Sequence, residues 1–277
     1  MNVRLQIQPA ALAELAQLRA LYLDGLLGAQ EALLEVAVCE GDCLRLVVRE
    51  QTAGYAVVRA GTLLEFFLLE AYLPKSHVIF RKLVQEARLE RALVKSFDHV
   101  LLSCALDIQV AVKVLGILVR ELVKRDLPRL PGIQYTQRGA RGKDLSRLLA
   151  VEGNVFDDAA RLSAAIAAGW VRVFERGDHL VGFGLLKPVV AERAQVDVGL
   201  VVDKPFRGRG YAAYLLRDLI DFCEAQGLQP ISGCAAGNSA SINLGLRVGF
   251  VSRYRLLELR FAAPAPAAAA STISRSP

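Results

Sequence analysis

Apolar positions recur every three to four residues over Ala10–Leu23, with leucines at 12, 15, 18, 21 and 23. That spacing predicts a helix. Two β-rich runs follow, Leu44–Glu50 and Gly54–Ala60, with Thr52–Gly54 read as the turn between them. A third strand is expected over Thr62–Leu69 and a helix over His77–Leu89. The pattern then predicts a strand at His99–Ala105 and a helix at Ile108–Lys124. The second half runs through the same order. Helices are expected at Leu145–Glu152 and Asp157–Ala168, with Asp157 and Asp158 suited to the cap and first turn of the latter. Trp170–Arg176 and His179–Pro188 read as a hairpin turning at Gly177–Asp178. A strand at Gln195–Val202 leads to a helix over Gly210–Gln226. Ile231–Ala235, Ser239–Val248 and Phe250–Phe261 close the chain as strand, helix and strand. The repeated order implies two domains of one α/β class, each a mostly antiparallel mixed sheet flanked by helices.

Composition changes that picture little. The chain has 277 residues, 53% of them hydrophobic and 22% charged, which excludes a disordered protein. No apolar run is long enough to span a membrane, because Ala105–Leu122 is broken by Asp107, Lys113 and Arg120. The amphipathic start is no secretory signal. Five scattered cysteines and three histidines suggest neither a disulfide framework nor a metal site. Reduced thiols and a cytoplasmic location are expected.

The net charge is +6, and most of it is local: Lys124–Arg147 holds seven basic and two acidic residues. Without interleaved aromatics this stretch reads as a solvated linker rather than a nucleic-acid surface. Its prolines and glycines mark a boundary. The expected divisions are 1–128, a linker and first strand at 129–143, a second domain at 144–261, and an Ala/Pro-rich tail at 262–277.

Chemistry concentrates in Val198–Ala213, VGLVVDKPFRGRGYAA. A strand runs through a short loop into Arg207-Gly208-Arg209-Gly210, which opens a helix. Glycines there bare the backbone N–H groups at a helix N-terminus, and two arginines flank them, as an anion cradle requires. Gly208-x-Gly210-x-x-Ala213 formally fits a dinucleotide fingerprint, but the loop is too long and no acid ends the next strand.

Arg207-x-x-Gly210-x-Ala212 after a Val-rich strand resembles the pyrophosphate motif of the GNAT N-acetyltransferases. Asn238…Gly249–Phe250 resembles the closing signature of that family. The resemblance covers about residues 133–261. It implies an acetyltransferase that moves the acetyl group of acetyl-CoA to a primary amine of a small molecule or peptide, with no metal. By position, Leu200, Val201 and Val202 would offer backbone groups to the acetyl and pantetheine part. Arg207, Gly208, Arg209, Gly210, Tyr211 and Ala212 would hold the pyrophosphate, and Asn238 the pantetheine arm. The first half reads LPKSHVIFRKL at the equivalent place and lacks the motif, as in a degenerate copy of a tandem protein.

Asp197 is the acid inside the strand beside the cofactor and the candidate base, although alternation puts it opposite Val196, Val198 and Leu200. It faces the cleft only if a bulge shifts the phase. Glu152 and Asp157 are further candidates. Where many GNAT enzymes carry a tyrosine as acid, this chain has Gly245. Cys234 reads as a small buried residue bordering the cofactor, and Tyr214, like the side chain of Tyr211, as packing. An acetyl-CoA sensor without turnover is the alternative function. Neither the acceptor nor the oligomeric state is legible.

Overall fold

The computed structural model describes residues 3–128, 130–151 and 158–262. The first domain runs β1 (Leu5–Ala10), α1 (Ala16–Gly25), α2 (Ala32–Cys39), β2 (Asp42–Val48), β3 (Gln51–Arg59), β4 (Thr62–Leu68), α3 (Ser76–Glu86), β5 (Arg91–Lys95), α4 (His99–Leu106), β6 (Gln109–Val119) and β7 (Glu121–Leu122). The second runs β8 (Thr136–Gly139), α5 (Leu145–Leu149), α6 (Ala159–Ala167), β9 (Val171–Arg176), β10 (His179–Pro188), β11 (Gln195–Val202), α7 (Tyr211–Ala225), β12 (Gln229–Ala235), α8 (Ser239–Val248), β13 (Phe250–Val251) and β14 (Tyr254–Phe261).

Twelve strands form one sheet, ordered β1-β2-β3-β4-β5-β14-β6-β12-β11-β10-β9-β8. Among the described residues only β4–β5 and β11–β12 pair in parallel, three registered residues or fewer each. The order contains an exchange. The closing strand β14 lies in the first domain, between β5 and β6, and β6 lies against β12 of the second. Leu259 and Phe261 are accordingly buried in the first domain's core with Phe66, Phe80 and Leu83. In the second domain Val196, Val198, Leu215 and Leu219 join β11 to α7. Val201 packs on the other face with Leu148 and Leu162 of α5 and α6.

Three local readings are corrected. The first hairpin turns at Arg49–Glu50, both with positive φ, and not at Thr52–Gly54. Gly54 sits inside β3, where a Cβ would lie 1.9 Å from the carbonyl oxygen of Phe67, so this glycine marks close strand approach. His99–Leu106 is a helix because Asp98 caps it, accepting from the Leu101 amide at 3.3 Å. Gln109–Val119 is a strand, not a helix. Its run of Val, Leu and Ile lies between β14 and β12, and strand partners on both sides override the helical reading. The sequence pattern predicts none of β1, α2 and β5. In the second half the hairpin, β11, α7, β12 and α8 fall where expected. Asp158 caps α6 through the Arg161 amide, whereas Asp157 and Glu152 lie outside the described residues. So does the tail from residue 263 on.

Three cations of the basic stretch are paired. Lys124 bonds Asp221 and Glu224, Arg138 bonds Asp144 and Glu175, and Arg147 reaches Glu175. The Tyr214 hydroxyl accepts from the Leu130 amide and donates to Pro128 O, strapping the segment along α7. No described helix is long and apolar enough to cross a membrane.

Candidate active site

β11 and β12 pair only at Gln195–Gln229, Val196–Pro230 and Asp197–Ile231. Beyond that rung they part. Ser232 Oγ donates to Val198 O at 3.0 Å, satisfying a carbonyl the ladder has released. The opening continues as a cavity of ≈ 280 Å³ lined by Val198, Gly199 and Leu200 on one side and by Cys234, Asn238 and Gly245 on the other.

The cradle follows directly. Asp203 caps a short turn through the Lys204 amide, and Gly208 and Gly210 adopt φ of +71° and +86°. Both values lie in the left-handed region that favours glycine. A Cβ on Gly208 would meet nothing within 4 Å, and one on Gly210 would meet only the side-chain ends of Leu130 and Ile133. Gly210 is the N-cap of α7, a 15-residue helix, so bare backbone sits at the positive end of a long dipole. The Arg207 Nε donates to Val202 O at 2.7 Å, bracing the loop against β11, and Arg209 is exposed.

Other expected residues divide. Leu200 and Asn238 line the cavity. Asn238 caps α8, its Oδ1 accepting from the Ser241 amide at 3.0 Å, which leaves the amide NH₂ to donate. Val201 is buried toward α5 and α6, so only its backbone can serve a ligand. The Tyr211 side chain is buried against Phe206 and Tyr135, and its hydroxyl accepts from Arg176. Ala212 is partly buried in the first turn of α7. Ser232, Ser241 and Ile242 line the cavity and carried no sequence signal.

Asp197 stands at the apex but does not line this cavity. No bulge shifts the β10–β11 register, so its side chain stays on the face opposite Val196 and Val198. It pairs with Lys187 and Ile231 and lies near Glu31 and Arg120 of the first domain. Burial, with Glu31 adding to it, pushes its carboxyl up to about 6, against the pull of Arg120 and Lys187.

Family models decide what this arrangement is. Residues 11–121 match an acetyltransferase (GNAT) domain and residues 143–250 the acetyltransferase (GNAT) family. The chain is a tandem of two GNAT domains. A GNAT-family acetyltransferase from Colwellia psychrerythraea shares the fold at a TM-score of 0.80 and 19% identity, over 93% of this chain and all of that one. A tandem GNAT protein from the clavulanic acid biosynthesis pathway superimposes at 0.58 with 13% identity, over 95% and 100% of the two chains. A GCN5-related N-acetyltransferase from Sphaerobacter thermophilus does so at 0.57 and 15%, over 94% and 96%. No curated protein matches the chain in sequence. Acyl transfer is thus the chemistry of this GNAT tandem. The first GNAT domain has no counterpart of the cradle: its helix starts at Ser76 after Lys75, with no left-handed glycine.

Proposed function

We propose that the second domain transfers the acetyl group of acetyl-CoA to a primary amine. The observation that carries this reading is the bare, left-handed Gly208–Gly210 loop at the N-terminus of α7, beside the parted strands. The open space at Gly208 fits a pyrophosphate, and a side chain at either glycine would resist its left-handed backbone. Arg207, Gly208, Arg209, Gly210 and the amides of Tyr211 and Ala212 would hold it. The backbone of Leu200, Val201 and Val202 and the Asn238 amide would hold the pantetheine arm. When bound, acetyl-CoA supplies an activated thioester carbonyl.

An alkyl amine is about 99.9% protonated at pH 7 and must lose a proton before it attacks. The helices α7 and α8 pack on one face of β11, and Asp197 lies on the other, from which this reading has the amine approach. A carboxyl near 6 is about nine-tenths ionised at pH 7 and is a stronger base than an ordinary aspartate. Asp197 is thus the base of this reading. Gly245 offers no proton donor to the leaving thiolate, so either the thiolate departs unassisted, as a thiol of pKa roughly 8.5 permits, or another group serves as the acid.

The experiment is acetyl-CoA consumption over polyamines, amino acids, aminoglycosides and peptides, run beside calorimetry. Turnover with any of these amines supports the reading. Binding without turnover moves the protein to the sensor alternative, and no binding removes both.

A further inference from the structure

The first domain's cleft is closed from within. β4 and β5 part after Leu63 and Ala92, and the fully buried Glu65 and Lys95 fill the space beyond. Glu65 accepts from Arg19, Gln30 and the Tyr55 hydroxyl, and Lys95 donates to Tyr22 and to Gln30 Oε1 at 2.9 Å. Gln30 is therefore held from both strands, and the loop that carries it is fixed.

That loop is where the domains meet. Arg120, 6% exposed at the end of β6, donates to Ala29 O at 2.8 Å and to Gln30 O at 3.5 Å. It also donates to Val119 O at 3.1 Å and to Ser232 O at 2.8 Å. Ser232 in turn holds Val198 O. One guanidinium thus ties the first domain's loop to β12 directly and to β11 through Ser232. Each of its bonds among the described residues ends on a neutral carbonyl, so its charge must be balanced by acids that do not touch it. Two acids lie near it: Glu31, on the same loop, and Asp197. Glu31 is itself buried, its Oε2 accepting from the Leu34 amide at 2.7 Å. Ala32, Val189 and Ile231 pack together beside them.

We propose that Arg120, with Glu31 beside it, is a positioning residue for Asp197: the first domain holds a buried cation and a buried anion near the candidate base and governs its charge. This rests on the reading of Asp197 as the base. Four elements bear on the carboxyl. Lys187 faces it from β10, Ile231 from β12, Glu31 from the loop before α2 and Arg120 from the end of β6. Arg120 and Lys187 favour the carboxylate; burial and Glu31 oppose it. In this arrangement the domain without a cradle sets the protonation of the domain that has one.

The test needs no acceptor. The full chain is labelled with ¹³C at aspartate carboxyls, and the Asp197 resonance is assigned by its loss in Asp197→Asn and followed against pH. The expected midpoint is about 6. Arg120→Gln should raise it by about one unit and Glu31→Gln should lower it, while Arg120→Lys, which keeps the charge, holds it near the native value. A purely structural Arg120 would make the Lys and Gln variants alike. Glu31→Gln retains an oxygen for the Leu34 amide, and it decides the matter if Arg120→Gln fails to fold. A midpoint unmoved in the folded variants overturns the proposal and leaves the base reading standing. Unchanged turnover in Asp197→Asn over the amine panel instead removes the base, and the proposal with it.

Discussion

Asp197 and Ile231 are the last residues at which β11 and β12 lie side by side. One residue on, the Ser232 hydroxyl is already bonded to Val198 O, and the strands diverge around an open cavity. The first domain ends its parallel ladder at Leu63 and Ala92 and then inserts Glu65 and Lys95. The same fork is a ligand cleft in one domain and a hydrogen-bonded polar core in the other.

Gly210→Val should abolish acetyl-CoA binding while the protein stays folded. A β-branched residue resists φ of +86° and presses on the Leu130 and Ile133 side chains, so the loop that bares the backbone donors must shift. Arg207→Ala removes charge and the brace to Val202 O but leaves the N–H groups, so affinity should fall only about tenfold. Calorimetry with circular dichroism on both variants checks the order. Native affinity in Gly210→Val would take this loop out of the site.

Asp197→Asn should lower turnover by roughly 100-fold, with acetyl-CoA affinity nearly unchanged. The same change should stabilise the fold at high pH. The carboxyl titrates near 3.8 when unfolded and about 6 when folded, so ionising it costs stability as pH rises between those values. Above that window the asparagine variant should be more stable by on the order of 1–3 kcal/mol, and below pH 3.8 the difference should vanish. Thermal melts at pH 3.5 and pH 8 read it directly.

The buried Asp144 behaves in the opposite sense. Hydrogen bonds from Arg138 hold its carboxyl down at about 2, against 3.8 unfolded. Its contribution is complete above 3.8 and is lost as pH falls through about 2. Asp144→Asn should therefore cost on the order of 2 kcal/mol at pH 7, and the cost should shrink in strong acid. Urea titrations at both pH values measure it.

Ending the chain after Arg253 should unfold the first domain. The cut removes β14, leaves β5 and β6 without their shared neighbour, and takes Leu259 and Phe261 from the core. Each large buried apolar side chain is worth about 1.5–3 kcal/mol, and the strand's ladder is lost as well. A fragment of residues 1–128 should fail for the same reason. A cooperative melt and a native near-ultraviolet spectrum from either would contradict this.

The second domain was legible because its signals are local. Two glycines at a strand–helix junction, a two-residue hairpin turn and amphipathic α7 each declare themselves within a short window. In the first domain the decisive facts are distant in sequence. Gly54 reads as a turn until Phe67 is known to lie against it. Ile108–Lys124 reads as a helix until β12 and β14 are seen to flank Gln109–Val119. The surroundings of Asp197 could not be read at all, since Glu31 and Arg120 reach it only through the meeting of the domains.

The place of β14 also fixes an order in time. On the ribosome, β6 emerges before any part of the second domain, and the strand that seals it against β5 emerges after nearly all of it. At about 5–20 residues per second, the two edges wait roughly 7–30 seconds for their partner. Through that interval the first domain can hold only a partial core, with β5 and β6 presenting unpaired backbone to any passing strand. The tandem is therefore a single folding event, completed from its far end. A gene split at the boundary between the domains would yield two products, neither holding all the strands of its own sheet.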